Sequence, residues 1–251
     1  MKKNNNFINL ILPLITVLCV LLLWTIASVK IGSQYILPSV GQTFSALTEI
    51  LSTYKFYVAF FHTFLRSLIA FIVSFVLASL MAFLANRYDK ALRVISTLIS
   101  IIRALPTIAI VLILLFWTNV QVAPVIVTML VVLPTTYTHV KSALEGVDKS
   151  AIEAGMVDGA GKYNLFFKVE LPQIAPSVYS AVGAGLSLNF KLMVAAEVLS
   201  ATIKSIGNML NIYNYNAQIA QMLAVVIMVV VFGIIVEFIF NKISQKVGDW
   251  R

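Results

Sequence analysis

Residues 104–140 include no Asp, Glu, Lys or Arg. An α-helix rises 1.5 Å per residue, so about 20 apolar residues cross the hydrocarbon of a bilayer. The stretch is too long for one span, and Asn119 to Pro124 supplies a break. The rest of the chain has the same character. Of 251 residues 60% are hydrophobic and 11% charged, whereas a soluble domain is roughly half apolar and a quarter charged. A chain of this length could not enclose so much apolar surface in water. The expectation is an all-α integral membrane protein.

Charged residues punctuate the chain and divide it into about six spans. The first, Phe7–Val29, follows a basic start but is too long for a signal-peptide core and lacks a small-residue cleavage pattern. It is read as a retained N-terminal transmembrane segment, 1–36. Segment 37–62 carries Val40, Phe44, Leu47, Leu51 and Tyr54 at helical spacing behind Pro38-Ser39, the mark of an external amphipathic helix. A core of five spans, 63–241, follows. Its helices are expected near Thr63–Ala85, Val94–Trp117, Pro124–Val140, Leu171–Leu199 and Gln218–Phe240, with a polar loop at 141–171. A basic tail, 242–251, closes the chain.

Six spans place both termini on one side. If that side is cytoplasmic, Lys2, Lys3, Arg87, Lys90, Arg93, Lys141, Lys149, Lys162, Lys168, Lys242, Lys246 and Arg251 lie inside. Only Lys30, Lys55, Arg66 and Lys204 lie outside. That is the positive-inside bias of a multi-pass membrane protein. It accounts for the net charge of +8 without invoking nucleic acid. The single Cys19 and the distant His62 and His139 offer no disulfide framework and no metal site.

The loop 141–171 cannot sit in hydrocarbon, because Lys141–Glu170 holds nine charged residues. Ser150-Ala-Ile-Glu153 predicts a capping box and a short helix. Gly159 and Gly161 are placed to end it, since glycine takes the left-handed conformation a helix end needs. A second short helix, about Lys162–Glu170, leads to Leu171-Pro172, where proline suits a first helical turn.

The run Glu153-Ala154-Gly155, three residues, Gly159, nine residues, Val169-Glu170-Leu171-Pro172 resembles the EAA motif of ABC importer permeases. That pattern is Glu-Ala-Ala, three residues, Gly, nine residues, Ile, any residue, Leu-Pro. The departures are Gly155 for the second alanine, weakening the helix by roughly 1 kcal/mol, and Val169 for isoleucine. Leu37-Pro38-Ser39, Leu105-Pro106, Lys191–Leu199 and Ile206-Gly207-x-Met-Leu resemble the nitrate/sulfonate/taurine branch, so the similarity covers nearly the whole chain.

The resemblance implies a type I ABC importer permease fold with a cytoplasmic coupling helix seated in a groove of an ATP-binding subunit. Glu153, Ala154, Gly155, Asp158, Gly159, Leu171 and Pro172 would belong to that loop. Glu153 could pair with a basic residue of the partner or simply cap its own helix. The implied partners are two ATPase subunits, a second permease copy or related chain, an extracytoplasmic substrate-binding protein and the lipid bilayer. ATP and Mg would be bound by the ATPase, with no cofactor in this chain. The branch serves nitrate, sulfonates and taurine, but also thiamine precursors and riboflavin.

Charged side chains within spans are costly and face a cavity or a partner. Arg103, Lys191 and Glu197 are the candidates. Either Arg103 or Lys191 lines a pathway for an anionic or polar solute, or they brace helices, for example by pairing with Glu197. The chain is not expected to be an enzyme. A phosphate-binding loop needs Gly-x-x-x-x-Gly-Lys-Ser/Thr, and around Gly155, Gly161 and Lys162 both the spacing and Tyr163 are wrong. No Ser/His or metal-His constellation is apparent for an intramembrane hydrolase. A secondary transporter or channel is the alternative, although no internal repeat of the kind common in such proteins is evident.

Overall fold

The computed structural model describes residues 5–248, with side chains from Leu12 onward except Lys162. Lys2, Lys3 and Arg251, counted above on the inner side, and the start of segment 1–36 lie outside the described residues. The chain is all-helical, in two compact units.

One unit comprises the residues up to Tyr57 together with Met209–Met228. Helix α1, Asn5–Ile31, ends at Gly32, whose φ of +64° suits glycine. None of its span Leu12–Ile31 is buried. Trp24 Nε1 donates to Pro38 O at 3.0 Å and Ser28 Oγ to Leu37 O at 3.1 Å, tying α1 to the connector that follows. Helix α2, Val40–Ser52, starts at a full capping box, with the Ser39 hydroxyl and the Gln42 amide each satisfying the other's backbone. It is amphipathic as expected, but its buried face is Thr43, Ala46 and Ile50, while Phe44, Leu51 and Tyr54 are exposed. Of the apolar residues chosen from the sequence, Val40 and Leu47 are only half-buried and the others lie on the exposed side.

The second unit holds Val58–Asn208 and the chain from Val229. Helix α3, Tyr54–Arg87, begins well before the expected Thr63. Helices α4, Asp89–Ala104, and α5, Thr107–Trp117, were expected as one span. They instead meet at 91° around Leu105-Pro106. Leu105 has ψ of 127° because the ring of Pro106 disfavours helical backbone in the residue before it. Helix α6, Ala123–Glu145, packs most extensively against α9, Leu171–Ser200. Between them lie α7, Lys149–Val157, α8, Lys162–Leu165, and a π turn, Phe166–Glu170, continuous with α9.

The helical path of α9 therefore runs back through Leu171-Pro172 without a break rather than starting there. Pro172 lacks an N–H, and the Leu171 N–H reaches back five residues to Phe166 O. The widened turn keeps the helix running through the proline. Helices α10, Ile206–Tyr215, and α11, Ile219–Gly248, complete the chain, and the expected basic tail continues α11 as far as Gly248. Among the described residues five helices are long and apolar enough to cross a membrane, six if α4 and α5 count as one broken span.

The core of this unit stacks Ala78, Ala82 and Ala85 of α3 against Ile95 and Ile99 of α4, Leu133, Tyr137, Val140 and Leu144 of α6, and Ile174 of α9. Small residues let helices approach where no hydrophobic effect drives them together. The glycines of α9 act likewise. A Cβ on Gly183 would lie 2.5 Å from Phe240 Cβ of α11, and one on Gly185 would lie 2.7 Å from Phe71 Cε2 of α3. Both serve packing within the chain.

Candidate functional site

The loop between α6 and α9 has the two short helices expected, with a different cap. Helix α7 is capped by Asp148, whose carboxylate accepts from Ser150 N at 2.9 Å and Ser150 Oγ at 2.8 Å. The Ser150-to-Glu153 capping box does not form, because Asp148 reaches the first turn before Ser150 can. These hydrogen bonds hold the Asp148 carboxyl below its usual range. Asp148 N donates to Gln173 Oε1 at 2.9 Å, linking the loop to α9.

Glu153 is thus free of any capping duty. It is exposed, as are Ala154, Asp158 and Gly159. Met156 is 58% and Val157 88% exposed, so α7 presents apolar and acidic side chains together. Gly159 ends the helix with φ of +79°, and its N–H bonds Met156 O at 3.0 Å. Gly161 has no positive φ and takes no part in that cap. Gly155, the departure from the motif, has a packing reason: a Cβ there would lie 2.6 Å from Leu165 Cδ2, and Leu165 is buried. Leu171 and Pro172 lie in the continuous π-to-α passage that joins this loop to α9.

The candidates inside the membrane are dispersed. Glu197 is fully buried and pairs with Arg66 of α3, Nη1 to Oε1 at 2.9 Å, rather than with Arg103 or Lys191. Thr63 Oγ1 donates to its other oxygen at 2.8 Å, Gly207 N approaches that oxygen at 3.4 Å, and Ile206 N donates to Thr63 Oγ1 at 3.0 Å. Arg66 also reaches Gln121 Oε1 and Ile203 O. A Cβ on Gly207 would lie 2.6 Å from Val198 N and 2.7 Å from Glu197 C, so α10 starts hard against the end of α9. Glu197 is therefore the centre of a brace joining α3, the α5–α6 connection, α9 and α10, with no face on an open cavity. Sequence reading missed Arg66, which it placed outside. The available signal was its position in the first half of an apolar span.

Arg103, at the end of α4, is exposed and donates to Pro134 O at 3.2 Å and to Thr138 Oγ1 of α6. Lys191 is exposed on α9, and among the described residues its ammonium group has no hydrogen bond or ion pair. No group of His, Cys, Asp or Glu among the described residues could hold a metal ion.

A multi-pass helical bundle with an exposed, glycine-ended helix between its two most closely packed spans defines a membrane transport subunit. The match to the family of binding-protein-dependent transport system inner membrane components spans residues 74–249, and the chain belongs to that family of ABC importer permeases. A putative ABC transporter permease protein of Methanocaldococcus jannaschii is 23% identical, with 91% of this chain and 88% of that protein covered. The taurine transport system permease protein TauC of Escherichia coli is 22% identical over 91% of this chain and 85% of its own length. Among solved structures, a chain of the MetNI methionine ABC transporter in an inward-facing conformation superposes with a TM-score of 0.63 at 20% identity, covering 74% of this chain and 93% of that one. A chain of a bacterial alginate ABC transporter gives 0.62 at 14% identity over 98% and 96%. The fold is that of type I ABC importer permeases.

Proposed function

We propose that this chain forms the translocation pathway of an ATP-driven importer in a bacterial inner membrane, both termini inside, and that α7 couples it to a separate ATPase. In this reading two ATP-binding subunits, which hold ATP and Mg, dock on α7 of two permease chains, and an extracytoplasmic binding protein delivers a small solute. The relatives' names, which include taurine, methionine and carnitine transport proteins, support a small solute. The observation that carries the coupling role is α7 itself. Its Glu153 is exposed and spared from capping, its Met156 and Val157 face outward, and Gly159 reverses the chain at φ +79°. A helix with no fully buried residue and with Met156 and Val157 turned outward has surface free to bury against another chain.

The test is co-purification in detergent with the ATPase encoded beside it, comparing wild type with Glu153→Ala. A stable wild-type complex that is weakened in the variant supports the assignment. Well-folded wild-type protein that retains no ATPase would move a secondary transporter to the front.

A further inference from the structure

The ends of α3 and α6 do not close on α7 and the π turn. A cavity of about 530 Å³ lies where these four elements meet, with Phe83, Leu144, Val147 and Ile152 as its apolar walls. Packed interiors hold few voids larger than a water molecule, so a space of this size beside an exposed helix leaves that helix room to move. Burial of the same apolar walls favours a closed arrangement.

The loop side of the cavity is tied together. The close approach of Leu165 to Gly155 joins α8 to α7, and Asp148 N joins the start of α7 to Gln173 of α9. A push on α7 therefore displaces α8 and the π turn with it. Phe166 of that turn meets Phe83 of α3 edge to face, ring centroids 6.0 Å apart, a contact that pivots without breaking a hydrogen bond. The π turn also holds one residue more than an α turn, slack that a shift of register takes up.

Four charged side chains line the cavity: Lys149 and Glu170 on the loop side, Arg87 and Glu145 on the helix ends. Glu145 is held by Lys141 at 2.6 Å, whereas Arg87, Lys149 and Glu170 have no ion pair among the described residues. Open, the cavity leaves these groups hydrated. Closure strips that water, a cost offset only where opposite charges meet, and a guanidinium grips a carboxylate through two hydrogen bonds. Lys149 travels with Glu170, so the separation that closure shortens is the one from Glu170 to Arg87. We propose that pressure on α7 closes this cavity and brings Glu170 onto Arg87, forming an ion pair that passes the stroke from the loop to α3. The proposal rests on the coupling role of α7 and adds to it the contact that forms when the stroke arrives. An open and a closed arrangement of one loop make the kind of two-state element on which a partner can act.

The experiment uses the full chain with its ATPase in lipid nanodiscs, in a Cys19→Ser background that leaves no other thiol in this chain. Spin labels go on Asn86→Cys and Ile152→Cys, which line the cavity from α3 and from α7 and leave both charges in place. The distance between them, read by double electron–electron resonance, should shorten when ATP and orthovanadate trap the ATPase. Arg87→Glu or Glu170→Arg alone sets like charges across the cavity. Each should slow ATP turnover by the complex about tenfold and abolish the shortening, and the double reversal should restore both. Trapped nucleotide with an unchanged distance would overturn the proposal. So would a double reversal no better than its parents. A wild-type chain that retains no ATPase fails the importer reading instead, so the two failures are told apart in one preparation.

Discussion

The Glu197 end of the larger unit and the α7 end are built on opposite principles. At the first, the groups around Glu197 are enclosed: Glu197, Thr63, Thr202, Ser205 and Ile206 are essentially inaccessible, and hydrogen bonds among them and to Val120 join segments far apart in sequence. At the second, no residue of α7 is buried, its cap is the local Asp148–Ser150 pair, and it is tied to α9 through Asp148 N donating to Gln173 Oε1. A buried ion pair is costly to assemble and more costly to halve, so it fixes one arrangement of four elements. An exposed helix held by a cap and a glycine is cheap to displace and has its side chains free for a partner. One end is made to stay fixed and the other to be engaged.

That contrast can be broken by substitution, and the largest effect is expected at the enclosed end. Glu197→Ala leaves the Arg66 guanidinium without its carboxylate and should destabilise the protein by about 3 kcal/mol or more, read as a large fall in the detergent melting temperature. Glu197→Gln, which keeps an acceptor for Thr63, should lose less. Gly207→Ala drives a Cβ into the backbone of Glu197 and Val198 and should cost about 1–3 kcal/mol in the same melt. If Gly207→Ala melts as wild type, α10 is not held against α9 as described.

At the engaged end the prediction concerns coupling. Gly159→Val forces a β-branched residue to φ +79°, a local strain of about 1–2 kcal/mol. Membrane insertion and melting should be nearly unchanged, while ATP hydrolysis by the bound ATPase ceases to respond to transport. Normal coupling in that variant would remove the glycine reversal from the mechanism.

The smallest effect is the pH dependence of the α7 cap. The Asp148 carboxyl is held below its ordinary value of 3.8 by its bonds to Ser150. The capped helix is therefore fully favoured above that value and loses the contribution as pH falls through the lowered one. Hydrogen exchange of α7 amides should rise relative to the rest of the chain only in that acid range, and Asp148→Asn should flatten the response.

The sequence made legible what is local or periodic. Hydropathy located the spans, and the spacing from Glu153 to Pro172 located two short helices about a glycine turn. What it hid are choices between neighbouring local signals and contacts across long separations. Asp148 and Ser150 both cap well, and only geometry selects Asp148. Leu105-Pro106 carried the signal for a break, but the uninterrupted apolar run around it favoured one span. The partner of Glu197 lies 131 residues away, and no periodicity connects it to Arg66. On α2, apolar spacing identified an amphipathic helix but not which face is buried, because Ile50, outside the chosen stripe, turns inward with Thr43 and Ala46.

The most direct test of the coupling role places a photo-crosslinking amino acid at Val157, more exposed than its apolar neighbour Met156, with a control at exposed Ile234 of α11. Irradiation of the complex should join position 157, and not 234, to the ATP-binding subunit, in a yield that changes when ATP is added. A complex that is intact by co-purification yet gives no adduct at 157 would contradict α7 as the docking element.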